Sequence, residues 1–213
     1  MRGSKTSAMF VTLEGGEGAG KSTSRDFIVS LLEDYHVPFI QTREPGGTAI
    51  GEALRELLLS KRGTAPSVTA ELLMVFAARA QHLHEVIEPA LRDGKWVLCD
   101  RFTDATYAYQ GSGRGFDFGE IEVLETLVQR GRHPDLTLLF DIDPQLGMAR
   151  ARQRAELDRF EEEELVFFER VRQGYLNRAE FHSRFRIIDA SQSIDDVQHA
   201  LREVLLPLLD GTS

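Results

Sequence analysis

The sequence predicts a three-layer α/β fold, a five-stranded parallel sheet flanked by helices, and three observations lead there. Short, nearly continuous apolar runs alternate with segments of helical periodicity along the whole chain. The first of those runs stops at a glycine-rich loop that opens into a helical pattern. The length, 213 residues with 42% hydrophobic, suffices for one domain with a buried core and leaves too little for a second of ordinary size.

The elements follow in order. Residues 10–14 (FVTLE) form a β-branched, apolar strand that ends at glycines, and residues 22–35 then carry Phe27, Ile28, Leu31 and Leu32 at helical spacing. Residues 39–42 read as a second strand, followed by the loop Pro45-Gly46-Gly47 and a helix over 50–59. A long helical pattern runs from Ala70 to Leu91, and WVLC at 96–99 makes a third strand ending at Asp100-Arg101. A helix over 120–130, a fourth strand at 136–140 (LTLLF), a fifth at 186–188 and a final helix over 194–209 complete the series. Apolar strands separated by helices imply a parallel sheet covered on both faces by right-handed crossovers, with ligands at the carboxyl ends of the strands.

The expected domain spans 9–210, with a short Arg-rich lid at about 148–162. Residues 1–8 are polar, lack the apolar core of a signal peptide, and read as a disordered or vector-derived stretch ahead of a start at Met9. No internal repeat, linker or low-complexity segment interrupts the chain.

Composition narrows the partners. A net charge of -9 has the wrong sign for attraction to nucleic acid or to an anionic membrane, and no apolar run approaches the roughly 18 residues of a membrane helix. Of the 25 cations, four are lysine and 21 arginine. The arginine fork suits phosphate oxygens, although a high-GC genome would give the same bias. The single cysteine, Cys99, forms no internal disulfide, excludes paired-cysteine metal sites and fits a reducing cytoplasm.

The strongest motif is Gly15-Gly16-Glu17-Gly18-Ala19-Gly20-Lys21-Ser22, which satisfies G-x-x-x-x-G-K-[ST] between a strand and a helix. Glycines let successive backbone N–H groups face phosphate oxygens, the helix dipole adds positive potential, Lys21 neutralises the outer phosphates, and the Ser22 hydroxyl suits magnesium. The predicted fold is therefore of the P-loop NTPase type. Glu17 is unusual there, because a carboxylate among phosphate-binding amides repels the ligand if it points inward. It is expected to point outward, toward a sugar hydroxyl or a magnesium-bound water, or simply into solvent.

Two classes of phosphate-loop protein drop out. A guanine-reading Asn-Lys-x-Asp segment is absent, since the one asparagine, Asn177, precedes Arg178, and no strand ends in the paired acids of a motor ATPase. Arg101 directly after a strand-terminal Asp100 instead places a cation and an anion at one mouth of the sheet, suited to a second phosphate beside a metal, or to a local salt bridge.

These residues carry a resemblance that covers nearly the whole chain from Met9. The loop GGEGAGKST ending at Thr23, the segment TREPGGT at 42–48, FAARAQ at 76–81, Asp100-Arg101-Phe102, YAYQG at 107–111 and the Arg-rich segment with DRFE at 158–161 resemble, in that order, bacterial thymidylate kinases. The resemblance implies magnesium-dependent transfer of the ATP γ-phosphoryl group to thymidine monophosphate (dTMP), and a homodimer; the apolar pattern of helices 70–91 and 120–130 suits an interface or a buried core alike. It assigns Arg79 and Thr106 to the thymine ring, Arg101 to the acceptor phosphate, Tyr109 to the sugar edge where a ribose carries its extra hydroxyl, and Glu17 to the sugar 3′-hydroxyl region. Arg43, Pro45 and Arg55 complete the acceptor pocket, which also takes Phe76 and Gln110, and Asp100 holds magnesium directly or through water. The family's stacking aromatic stands four residues before this arginine, where the chain has Val75. Phe76 therefore reads either as the stack or as core.

Phosphoryl transfer asks mainly for positioning and charge neutralisation, and an inserted arginine contributes about 10³–10⁵ in rate. The phosphate loop contains none, so the cation is sought among Arg150, Arg152 and Arg154. Residues 150 and 154 share a helical face, so that both approach the transferring phosphates when the segment closes, and Arg154 is the first choice. In the empty enzyme these arginines are expected to pair with the acidic run Glu161 to Glu164. Two rivals stay open at this point: a deoxynucleoside kinase, against which Glu17 and TREPGGT speak, and a non-catalytic ATP-binding module, which has no need of Lys21, Ser22, Asp100 and Arg101 together.

Overall fold

A computed structural model describes residues 8–60, 64–153, 159–160 and 163–210. Its five strands, β1 (Phe10–Glu14), β2 (Phe39–Arg43), β3 (Trp96–Asp100), β4 (Leu136–Asp141) and β5 (Phe185–Asp189), form one parallel sheet in the order β2-β3-β1-β4-β5. Every residue of the central strand β1 is buried, because helices cover both faces.

Alternation along the strands sorts the core into layers. Val11, Leu13, Trp96, Leu98, Leu138 and Phe140 meet α1 (Lys21–Asp34) and α9 (Ile194–Asp210) through Ile28, Leu32, Leu201 and Leu205. Phe10, Val97 and Cys99 face the other way, onto Leu83, Ile87 and Phe102. Helices α2 (Ala49–Leu59) and α3 (Val68–His82) are capped by Thr48 and Ser67, whose hydroxyls accept the N–H groups of Gly51 and Ala70.

The long helix expected over 70–91 is present with one irregularity. After α3 the ladder widens to a π-helical turn, Leu83–Ile87, in which the Glu88 N–H reaches back to the Leu83 carbonyl, and α4 (Glu88–Arg92) continues beyond it. Pro89 at the start of α4 has no N–H to give to the preceding turn, and the wider turn absorbs that gap. A second π-helical turn, Tyr107–Gly113, follows α5 (Thr103–Thr106) and leads to α6 (Phe118–Gln129).

The expected lid, 148–162, is described only in part. Residues up to 152 belong to α7 (Pro144–Arg152), which Asp143 caps by accepting from the N–H groups of Gln145 and Leu146, and α8 (Leu165–Phe181) follows. Residues 154–158 and 161–162, Arg154 among them, lie outside the described residues, as does the expected N-terminal stretch except Ala8.

Helix α7 packs directly against the glycine-rich loop. Gly18 has φ +68°, and a Cβ there would overlap the Gly147 carbonyl, while a Cβ on Gly147 would overlap the Glu17 carbonyl. In an open helix a Gly-to-Ala change gains up to about 1 kcal/mol, whereas overpacking costs about 1–3 kcal/mol. Gly147→Ala is therefore expected to lower the melting temperature by about 2–8 °C in a thermal melt. A rise would show that the two backbones are not in contact.

Candidate functional site

The loop after β1, the turn after β3 and the start of α1 meet at the carboxyl edge of the sheet, where β1 stands between β3 and β4. They open onto a cleft of about 370 Å³. Its loop wall is Glu17, Gly18, Ala19, Gly20, Lys21 and Ser22. Gly20 adopts φ +75° as the N-cap of α1 and turns the chain so that the loop faces the cleft. Gly15 and Gly16 lie behind, against a much smaller cavity, and Thr23 is outside the cleft wall. The Lys21 ammonium donates to the Gly15 and Gly16 carbonyls at 3.0 and 3.1 Å. Burial, and then the Arg101 guanidinium, pull the Lys21 pKa below its ordinary value.

Opposite the loop stand Asp100, Arg101 and Phe102. Arg101 has φ +70°, a conformation held by its N–H on the Leu13 carbonyl at 3.0 Å and by the Cys99 thiol on its own carbonyl at 3.1 Å. Its guanidinium bonds Glu17 and lies 4.6 Å from the Tyr109 ring centre, while the Tyr109 hydroxyl donates to Glu17 at 2.8 Å. Glu17 thus points away from the phosphate-binding amides, as its sign requires. Burial would raise its pKa, but Arg101 and Lys21 outweigh burial and hold it at about 2. Asp100 Oδ1 is buried, faces no hydrogen-bond donor, and belongs to a cleft-wall residue.

The far wall holds Pro45, Arg55, Arg79, Thr106, Tyr109 and Gln110. Arg79 is 1% exposed, with its guanidinium between the Phe76 and Phe102 rings, 4.9 Å from each centre. Its Nε donates to Glu44 at 2.7 Å and one Nη to Thr106 at 2.9 Å. The other, Nη1, is buried without a hydrogen-bond partner. Arg55 donates to the Pro45 carbonyl at 3.0 Å.

Three further expected residues lie elsewhere. Phe76, 2% exposed, packs with Leu72, Tyr107 and Ile121, because the helical phase turns Val75 rather than Phe76 to the cleft; it is core, and its ring supports Arg79. Arg43 is outside the wall, half exposed and paired with Glu52 at 2.8 Å. Arg150 also misses the cleft. Met148 and Ala151 take the inward positions of α7, and Arg150 donates instead to the Ala190 carbonyl at 2.7 Å and to that of Ser191. Of the acidic run expected to pair with the arginine cluster, Glu163 bonds Arg114 at 2.5 Å, while Arg154, Glu161 and Glu162 lie outside the described residues.

Sequence reasoning missed several residues that shape the cleft. Glu44 anchors Arg79, and the Phe102 ring packs against the Arg79 guanidinium. Phe160 lines the cleft edge-on to Tyr109, and its neighbour Arg159 donates to the Leu58 carbonyl at 2.7 Å and to buried Glu71 at 2.5 Å. Glu71 also accepts from Gln110 at 2.9 Å. An acid on an apolar helix face, as Glu71 is with Val75 and Ala78 four and seven residues on, was the available signal. Among the described residues no cluster of three or more His, Cys, Asp or Glu side chains gathers as a metal site, and no helix is long and apolar enough to cross a membrane.

Glu14 ends β1 beneath this network, accepting from the Phe102 N–H at 2.7 Å and the Tyr175 hydroxyl at 2.9 Å. Burial, with the Asp104 charge adding to it, pushes its pKa up to about 8. The folded chain then holds a proton that the unfolded chain releases above its ordinary carboxyl pKa of 4.5. The associated stability is complete below pH 4.5 and is lost as pH rises through about 8. Glu14→Gln should flatten that decline in melting temperature between pH 5 and about 8, and parallel profiles for the two proteins would contradict the assignment.

Comparison with known proteins agrees with this architecture. The thymidylate kinase family profile matches residues 13–201. A protein named thymidylate kinase from Pseudomonas syringae pv. tomato is 55% identical over 203 residues, 95% of this chain and 97% of its own length. Those from Hahella chejuensis and Teredinibacter turnerae are 55% and 57% identical, over 95% and 92% of this chain and 98% and 96% of theirs. With a family profile spanning most of its length and relatives this similar from end to end, the chain belongs to the thymidylate kinase family.

Proposed function

We propose that this chain transfers the γ-phosphoryl group of ATP to the phosphate of dTMP, giving ADP and the diphosphate used in making thymidine triphosphate. The observation that carries the reading is convergence: Lys21, Ser22, Asp100 and Arg101 share one cleft with Arg79, so a phosphate-binding and a base-reading surface face each other.

ATP phosphates take the amides of the loop Gly15 to Ser22, with Lys21 exchanging its loop carbonyls for phosphate oxygens. Arg101 holds the acceptor phosphate, and Glu17 accepts from the sugar 3′-hydroxyl beside Tyr109, whose ring closes the edge a ribose would occupy. Arg79 Nη1, buried and without an internal acceptor, donates to a pyrimidine carbonyl, a carbonyl being an acceptor-only group of the right kind. Pro45, Arg55, Thr106 and Gln110 complete that side. The cation that meets the transferring phosphoryl group comes from the segment 150–154, where Arg150 must first release the Ala190 and Ser191 carbonyls.

The donor set fits magnesium. A buried carboxylate oxygen of Asp100 with no other partner and the Ser22 hydroxyl are hard oxygen ligands, and magnesium takes its remaining ones from phosphates and water. Bound there, the ion would neutralise phosphate charge as the nucleotide is held. Cys99, its thiol pKa raised by burial, suits a reducing cytoplasmic setting and supplies no nucleophile.

ADP release should be seen with dTMP and not with thymidine, should stop on addition of EDTA and should return with excess magnesium. Turnover of the nucleoside alone would overturn the assignment in favour of a deoxynucleoside kinase. ATP binding without turnover of any monophosphate would favour a regulatory module.

The chain is further proposed to act as a homodimer. On α6, Val123 and Leu127 are 67% and 66% exposed one turn apart, and Leu73 on the adjoining α3 is 51% exposed. Exposed apolar side chains on two helices that pack together suit a self-complementary interface. Leu127→Glu should convert a dimer to a monomer in light scattering while leaving the fold intact by circular dichroism. A monomeric unsubstituted chain would remove this interface.

A further inference from the structure

Behind Arg79 lies a second layer of buried polar groups, built on Glu44, which also lines the cleft and whose N–H donates to the Asp100 carbonyl at 2.9 Å. Glu44, between β2 and α2, uses both carboxylate oxygens: Oε2 accepts from Arg79 Nε at 2.7 Å, and Oε1 faces His82 Nδ1 at 2.9 Å. A carboxylate only accepts, so Nδ1 carries a proton toward it. The opposite ring nitrogen, Nε2, lies 2.6 Å from the Thr42 hydroxyl, which can donate or accept as the ring requires. Arg79, Glu44 and His82 are all essentially removed from solvent. The ring also supports the turn that follows β2. Gly47 has φ +78°, and a Cβ there would come within 2.6 Å of His82 Nε2 and 2.7 Å of Thr42 Oγ1.

The consequence for Arg79 is directional. An arginine has five N–H groups in a rigid fork, so fixing Nε and one Nη fixes where the third nitrogen points. Glu44 fixes Nε, Thr106 fixes Nη2, and the Phe76 and Phe102 rings pack against the guanidinium, each centre 4.9 Å from its carbon. His82 in turn fixes Glu44, because a carboxylate held at one oxygen alone would be free to swing about its own bond. A histidine used only to fill core would not need two polar partners at hydrogen-bonding distance on opposite nitrogens.

We infer that His82 and Glu44 are positioning residues for base selectivity: through the chain Thr42–His82–Glu44–Arg79 they aim Nη1 at a carbonyl acceptor and so favour thymine over a base that carries an amino group at the same edge. The inference rests on the proposed reading of Arg79 as the residue that meets the base. A cytosine amino group would bring donor against donor at that point, and a buried donor left unpaired is costly.

The test compares kcat/KM for dTMP with that for deoxycytidine monophosphate in the full-length chain. In His82→Gln the ratio should fall at least about tenfold, through a higher KM for dTMP, while KM for ATP stays within about twofold. A general loss of structure would lower both values together and leave the ratio unmoved. Thr42→Val, which keeps the ring in place and removes only its hydroxyl partner, should shift the ratio the same way by about threefold, and it decides the matter if His82→Gln does not fold. An unchanged ratio in folded His82→Gln, or in Thr42→Val should that one be needed, overturns the inference while leaving dTMP kinase activity standing. Absence of dTMP turnover in the unsubstituted chain overturns the functional reading and this inference with it.

Discussion

The ion pair between Glu17 and Arg101 joins two segments far apart in sequence, the phosphate loop after β1 and the turn after β3, and the rest of the cleft is arranged around it. Arg101 occupies a left-handed backbone conformation that costs a non-glycine residue about 1–3 kcal/mol. That cost is offset by bonds made on all sides: the Leu13 carbonyl takes its N–H, the Cys99 thiol meets its carbonyl, and the following N–H of Phe102 goes to Glu14. The guanidinium therefore stands in place before any substrate arrives, which is the form of preorganisation that phosphoryl transfer needs. Tyr109 completes the arrangement by contacting both members of the pair.

The arginine excess acquires a second meaning here. Beyond the cleft, arginines reach buried acids that would otherwise be uncompensated. Asp104, fully buried, takes Arg178 at 2.9 Å and Arg184 at 2.7 Å, and Glu71 takes Arg114 and Arg159. A planar fork can serve a carboxylate and an aromatic face together, as Arg178 does with Asp104 and the Tyr107 ring at 4.0 Å. Lysine has neither the fork nor the flat face. A chain of net charge -9 can thus hold a cationic cleft, because its acids are spent on the surface and in such pairs.

The strands and the phosphate loop were legible because their signals are local: apolar runs of the right length, and glycines at spacings that only a phosphate loop requires. The π-helical turn before Pro89 was not, since the proline announces a missing N–H but not whether the helix answers with a break, a kink or a wider turn. Phe76 shows a sharper limit. Whether it or Val75 faces the cleft is a matter of about 100° of helical phase, and α3 takes that phase from its packing on α6 rather than from its own sequence. Glu44 and His82 stand 38 residues apart, and only the fold brings them to hydrogen-bonding distance. The i,i+4 spacing of residues 150 and 154 shows a shared face but not where that face rests, which the helix start at the Asp143 cap fixes.

The contact between Gly18 and Gly147 has a mechanical side. Two backbones at van der Waals distance, with no side chain between them to act as a cushion, transmit displacement almost without slack. The amides of the phosphate cradle and the first turns of α7 consequently form one stiff piece, and α7 runs on to Arg150 and Arg152. Whatever shifts the cradle by a fraction of an ångström at one end is felt as a tilt at the other, so nucleotide occupancy and the attitude of the arginine-bearing helix are two readings of a single lever.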